Sequence, residues 1–305
     1  MKVYVWLIER EDAMNGSTCF VEIARPSQHL SNKMRFGLSN QLSNVDNGMV
    51  IMSFRTRIFG IFTALLVMFA YLPASSADSK TKHVLELFTS QSCYSCPPAE
   101  SLLTRVVEEN EEVLALEFHV DYWDTLVYGS AGQWKDPFSS PEYSQRQRNY
   151  NRMRLAGRTG VYTPQMVVNG SYAFVGSKSL QAQNLISKES ELLLQASARV
   201  SEDGQLTIEV VGDHSASADV WLVTFDRHHV TEIPSGENMG KTLTNSNVVR
   251  DFRSIGQWQG EPLVIESELE PLLDNQGCAI IIQKYNAFQK RITGPILGAA
   301  KCEAA

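Results

Sequence analysis

An α/β domain built on a parallel sheet, followed by a β-rich domain, is the architecture that this 305-residue chain predicts. Three observations predict it. From Val84, an apolar strand, a helix and a second apolar strand follow one another within about 40 residues, a βαβ unit whose crossover is right-handed. The motif Cys93-Tyr94-Ser95-Cys96 stands at the first strand–helix junction. After about Ala198 the texture changes to short strand-like runs separated by turn residues, as in an antiparallel sandwich.

Taken in order, Val84-Leu85-Glu86-Leu87-Phe88 reads as a buried strand. Pro97 and Pro98 suit the first turn of a helix, where a missing N–H costs nothing. That helix runs from Ala99 to Asn110 with Leu102, Leu103, Val106 and Val107 on one face. Val113 to Val120 is nearly all apolar, as expected of a strand covered on both faces. Asp121 to Ser139 is irregular and rich in aromatics. Ser140 then caps a helix with Pro141 at its first position and Glu142 in its first turn, ending at Gly157. Gln165 to Val168, the Asn169-Gly170 turn and Tyr172 to Val175 make a hairpin. Leu180 to Ala196 reads as a further helix. In the β-rich part, Leu206–Val210, Val220–Phe225 and Cys278–Ile282 are the clearest strands.

The composition is that of an ordinary globular protein, 43% hydrophobic and 20% charged, and the net charge of −7 argues against nucleic-acid binding. Ile58 to Leu72 is an apolar run preceded by Arg55 and Arg57 and followed by Pro73-Ala74-Ser75-Ser76-Ala77, the pattern of a secretory signal peptide. Residues 52–77 are therefore expected to be that signal, with Met52 or Met49 as the true start and 1–51 a mis-called or disordered extension. The competing reading is a cytoplasmic tail with a membrane anchor. The expected domains are 78–198 and 199–305. Cleavage near Ala77 places the protein in the bacterial periplasm or outside the cell, touching membrane only through an uncleaved signal. Cys93, Cys96, Cys278 and Cys302 then remain, an even number that suits an oxidising compartment. Cys278 and Cys302 are candidates for a structural disulfide, although four cysteines allow three connectivities.

The element order, with CxxC at the first strand–helix junction, resembles the thioredoxin fold. Gly160 to Gly170, containing Thr163-Pro164, is similar to the thioredoxin segment whose proline is cis and faces the active cysteines. The longer strings Glu86 to Glu100, Phe118-His119-Val120-Asp121-Tyr122-Trp123-Asp124, Trp134 to Phe138 and Tyr162 to Met166 resemble a narrower group, the secreted bacterial thioredoxin-like family DUF1223, over roughly residues 83 to 300. The resemblance implies a thioredoxin-like domain with an inserted helical and irregular segment. It leaves the family's biochemical role unassigned. The chain departs from thioredoxin at Ser92, where a Trp is usual, and at Tyr94-Ser95 between the cysteines.

The expected chemistry is thiol–disulfide exchange, with Cys93 attacking and Cys96 resolving. Cys93 is expected at an exposed helix N-terminus, where the dipole stabilises a thiolate. A static disulfide and half of a zinc site are the alternatives; one CxxC supplies only two of the four ligands that structural zinc needs. Thr163 and Pro164 would wall the site. Glu86 would relay a proton beneath the dithiol, or be an exposed strand-end carboxylate. Tyr94, Ser95, Asp121, Tyr122, Trp123 and Asp124 are candidate binding residues, the aromatics flooring a peptide groove or packing the insertion. His119 is a weak metal candidate, and its competing reading is a hydrogen-bonded core residue. Arg146, Arg148, Arg152, Arg154 and Arg158 read as a solvated helix face or an acidic partner's contact. No cofactor is expected. The partners are protein thiols or disulfides and an unknown redox partner. A non-catalytic binding module and a periplasmic metal carrier are the rival functions.

Overall fold

A computed structural model describes residues 80–157, 160–188, 191–212, 217–286 and 291–305. The expected extension and signal peptide, and Arg158, lie outside the described residues. Eleven strands form one mixed sheet in the order β4-β3-β1-β2-β8-β7-β10-β11-β5-β6-β9. The strands are β1 His83–Thr89, β2 Val113–His119, β3 Gln165–Val168, β4 Tyr172–Val175, β5 Gln195–Val200, β6 Gln205–Val211, β7 Ala218–Glu232, β8 Thr242–Trp258, β9 Leu263–Glu268, β10 Gln276–Asn286 and β11 Arg291–Ala304. Among the described residues three α-helices accompany them: α1 Pro97–Glu109, α2 Pro141–Arg152 and α3 Ser179–Lys188.

β1 and β2 pair in parallel across α1, as a βαβ unit requires. Every residue of both strands is buried, so alternate side chains enter two different cores. Leu85 and Leu87 pack with Ala99, Leu102 and Leu103 of α1. Val84, Phe88, Leu116 and Phe118 pack on the opposite face with Tyr143 and Tyr150 of α2. Burying each of the two phenylalanines contributes about 1.5–3 kcal/mol. Ser140 caps α2 by accepting a 3.1 Å hydrogen bond from the Glu142 N–H. The hairpin turn has positive φ at both Asn169 and Gly170, the geometry that a tight two-residue turn needs.

The structure is more β-rich than the sequence predicts, and the two halves are not packed separately. The core under α2 also takes in Val223, Phe225, Val249, Ala279, Ile281 and Ile296 from β7, β8, β10 and β11. Instead of a sandwich, the later strands extend the first sheet, joined by the parallel bridge Glu117–Val248 between β2 and β8. The expected helix to Ala196 stops at Lys188, and Gln195–Val200 is a strand. Leu192 and Leu194 there are buried, and their N–H groups donate to Lys82 and Leu297 carbonyls. Tertiary burial thus overrides local helix propensity.

The β7–β8 hairpin is long and divided in role. Register shifts fall at Val220/Trp221 and Thr224/Phe225. Before them the hairpin joins the β-rich core. Beyond them it runs beside β2 and α1: Asn247 donates to the Ala115 carbonyl at 2.8 Å, and Ser246 and Thr104 hydroxyls lie 2.9 Å apart. Its tip, residues 233–241, thereby reaches the CxxC motif.

Candidate functional site

Cys93 and Cys96 form a disulfide in a tight turn that leads into α1. Cys96 occupies the N-cap, and Pro97 and Pro98 follow as the first-turn prolines. Cys93 is one turn earlier and, contrary to expectation, is not exposed: both cysteines have 0% exposure. The loop presents Tyr94 and Ser95 to solvent instead, with the Ser95 hydroxyl 3.5 Å from the Cys93 sulfur.

The Thr163–Pro164 bond is cis. A methyl group built on Gly176 would touch Leu87, Ala99 and Pro164 together, so the proline lies against the first turn of α1. Trp123 reaches the same wall, its indole N–H donating to the Thr163 hydroxyl at 2.8 Å. Trp123 also stacks on Tyr128. Asp121 and Asp124 are taken up by hydrogen bonds within the insertion and to α2. Asp121 accepts from the Ser144 hydroxyl at 2.5 Å, at the start of α2. Asp124 accepts from the Ser139 hydroxyl and the Asp136 N–H. Tyr122 is half-buried beside Trp123.

Glu86 is not beneath the dithiol. Alternation along β1 turns it to the α2 face, away from α1. There its carboxylate accepts from Arg146 Nε at 2.6 Å and from the Tyr150 hydroxyl, while Arg146 also donates to Gln283 at 2.9 Å. Arg146 is therefore a buried ion-pair partner rather than part of a solvated face. Arg152 and Arg154 are exposed.

The carboxyls on the α1 face are others. Leu87 and Thr89 of β1 lie in register with Glu117 and His119 of β2. Glu100 comes one helical turn after Cys96 and accepts from the Thr89 hydroxyl at 2.6 Å. His119 Nδ1 is 2.7 Å from Asp136, and Nε2 is 3.6 Å from Glu117. Asp136 also accepts from the Gln91 N–H at 2.8 Å, which ties the group to the loop before Cys93. All of these side chains are buried.

Burial, helped by the neighbouring Glu117 charge, pushes the Glu100 carboxyl up to about 8. Burial likewise raises Glu117. Burial alone would lower His119, but Asp136 and Glu117 outweigh it and hold the imidazole up to about 10. Burial would raise Asp136, yet the imidazolium and hydrogen bonds keep it below the ordinary range. Near neutral pH the cluster therefore holds a His119–Asp136 ion pair beside the proton-bearing Glu100 carboxyl and a Glu117 carboxyl raised by burial. With its nitrogens directed at Asp136 and Glu117, His119 belongs to this network. Among the described residues no group of three or more His, Cys, Asp or Glu side chains is arranged to hold a metal ion.

Glu100, Glu117 and Asp136 were not candidates on sequence. The available signals were the two-residue spacing of Glu117 and His119, which puts both on one strand face, and the one-turn spacing of Cys96 and Glu100.

Cys278 and Cys302 form a second disulfide, between β10 and β11. Among the described residues no helix is long and apolar enough to cross a membrane.

The fold and this site define a class of disulfide-bearing mixed-sheet protein, and the comparisons with known proteins place it. The chain belongs to the family described as protein of unknown function DUF1223, whose sequence model matches residues 84–283. It is similar to a crystal structure of a protein from Agrobacterium tumefaciens, at 29% identity and a TM-score of 0.58, covering 75% of this chain and 95% of that one. No curated protein matches the chain.

Proposed function

We propose that this protein is an extracytoplasmic thiol–disulfide exchange protein acting on protein substrates, its CxxC carried by a thioredoxin-like arrangement of β1, α1, β2 and the β3–β4 hairpin. The observation that carries the reading is the buried cluster Glu100, Glu117, His119 and Asp136 on the same sheet face as α1 and its N-terminal disulfide. A permanently closed disulfide has no use for a proton store. A dithiol that opens and closes must gain and lose protons in a site closed to water.

In the oxidising direction a substrate thiolate attacks the Cys93 sulfur. The Cys93–Cys96 bond breaks and Cys96 leaves as a thiolate, which takes a proton from the Glu100 carboxyl. The substrate's second thiolate then attacks the first substrate sulfur of the mixed disulfide, the bond to Cys93 breaks, and Cys93 leaves as a thiolate. The substrate dithiol is oxidised to a disulfide, and the Cys93–Cys96 disulfide is reduced to a dithiol. Reduction of a substrate uses the same steps backwards, and the potential of the pair sets the direction. Thr163 and Trp123 offer the wall along which an extended substrate chain would lie.

The complete covering of Cys93 favours a second reading, a binding module whose CxxC is a fixed disulfide. One assay separates the two. The oxidised protein is given a reduced, unfolded substrate, and disulfide transfer is followed by thiol trapping and mass spectrometry. Transfer that disappears in Cys93→Ser supports exchange. No transfer in either direction, with reduced or disulfide-bonded substrate, supports the binding module.

A further inference from the structure

The tip of the β7–β8 hairpin contributes side chains to the CxxC loop from more than a hundred residues away. Asn238 is 0% exposed, and its amide donates to the Gln91 carbonyl at 2.8 Å and the Cys93 carbonyl at 3.0 Å. Its oxygen accepts from Lys241 at 2.8 Å. Glu237 accepts from the Tyr94 N–H at 2.8 Å. The Lys241 ammonium lies over the Tyr94 ring, 4.1 Å from its centroid. On its other side the tip bonds the insertion: Ser235 donates to the Gln133 carbonyl at 2.6 Å, and the Gly236 N–H to that of Ala131 at 2.8 Å.

These contacts are almost all polar. Ile233 at the base is buried, whereas Met239 at the crown is 55% exposed. The tip is also closed on itself: the Ile233 N–H donates to the Lys241 carbonyl at 2.9 Å, and the Gly240 N–H donates to the Ile233 carbonyl at 2.8 Å. Lifting it would break hydrogen bonds that water can replace and would leave the hydrophobic core covered. Segments with this character open locally at low free energy. Gly236 supports the seating: its φ is +81°, and a methyl there would come within 2.9 Å of Trp134 Cβ.

We propose that the 233–241 tip is the access gate of the CxxC site, with Asn238 and Glu237 as positioning residues that hold it closed over Cys93. An attacking thiolate must approach the Cys93 sulfur directly, and the closed loop offers it only Tyr94 and Ser95. Engagement of the Tyr94 backbone by a substrate would compete with Glu237 and release the tip. The gate's biological purpose rests on the exchange reading, but its existence is tested without it, because a small reductant reports access whether or not the protein turns over a substrate.

The experiment measures the rate at which dithiothreitol reduces each disulfide of the full chain, by alkylation and mass spectrometry. In Glu237→Ala/Asn238→Ala the Cys93–Cys96 rate is expected to rise about tenfold or more, as loss of the contacts that hold a local closed state implies. The Cys278–Cys302 rate stays unchanged. Glu237→Gln, which keeps an acceptor for Tyr94, stays within about twofold of the parent. An unchanged Cys93–Cys96 rate overturns the gate, and so does acceleration of both disulfides together, which means global opening. Should the double variant fail to fold, amide hydrogen exchange of the unaltered protein decides. Residues 233–241 must exchange faster than the β7 and β8 ladders; exchange only in step with those ladders overturns the proposal.

Discussion

The two disulfides of this molecule differ in what surrounds them. Cys93–Cys96 links cysteines three positions apart at the head of a helix, beside buried titratable side chains and under a polar hairpin tip. Cys278–Cys302 spans 24 residues and joins the β10 and β11 strands, against the apolar cluster of Leu206, Leu222, Ile280 and Ala300. A wide loop restrains the unfolded chain more than a narrow one. Cys278 is buried in that cluster, while Cys302 is partly exposed and both cysteines also line an open cavity with Arg227, Glu268 and Glu270. The second bond joins two neighbouring strands, and the first lies beside a buried cluster of titratable side chains.

The largest effect that separates the two pairs is on chemistry. Cys93→Ser is expected to lower substrate disulfide transfer by about a thousandfold or more, as removal of an essential nucleophile does. Cys278→Ser/Cys302→Ser is expected to leave transfer within about twofold. Equal losses in both variants would dissolve the distinction.

Stability should show a different pattern. Arg146→Met leaves Glu86 buried without its cation and is expected to cost about 3–5 kcal/mol in urea unfolding. The potential of Cys93–Cys96 should not follow, because Glu86 faces α2 and not α1. Loss of the second disulfide should cost roughly 3 kcal/mol by loop closure. A cost near zero would mean that β10 and β11 need no cross-link.

A smaller effect tests the proton store. Glu100 is held at about 8 against an ordinary 4.5. The folded state therefore binds the extra proton between those values, and stability falls as pH rises from 4.5 towards 8. Glu100→Gln removes this slope and should raise stability at pH 8, relative to pH 5, by about 1–3 kcal/mol over the parent. His119, raised from 6.5 to about 10, adds a separate loss between those values that the variant keeps. Parallel pH curves for variant and parent would remove Glu100 from the cluster.

The sequence makes the first half of the fold legible because its signals are local. Apolar runs mark β1 and β2, two prolines open α1, Ser140-Pro141 opens α2, and Asn169-Gly170 turns the hairpin. What it hides is set by distant partners. Leu192 and Leu194 look helical until β11 and Lys82 claim their amides. Arg146 looks like one of a solvated series until Glu86 and Gln283 are brought to it. The cysteines and the Thr163-Pro164 pair stand out by motif. Glu100 passes for an ordinary first-turn acid, and only β2 beside it makes it a buried one. Asn238 carries no signal at all, since nothing local announces that a hairpin tip will fold over Cys93.

The most direct test of the central claim is the reduction potential of each disulfide, by equilibration with glutathione followed by thiol trapping and mass spectrometry. The account predicts a value above about −230 mV for Cys93–Cys96 and below about −300 mV for Cys278–Cys302. Two values both below about −300 mV would contradict it, and would make the CxxC pair a structural bond like the other.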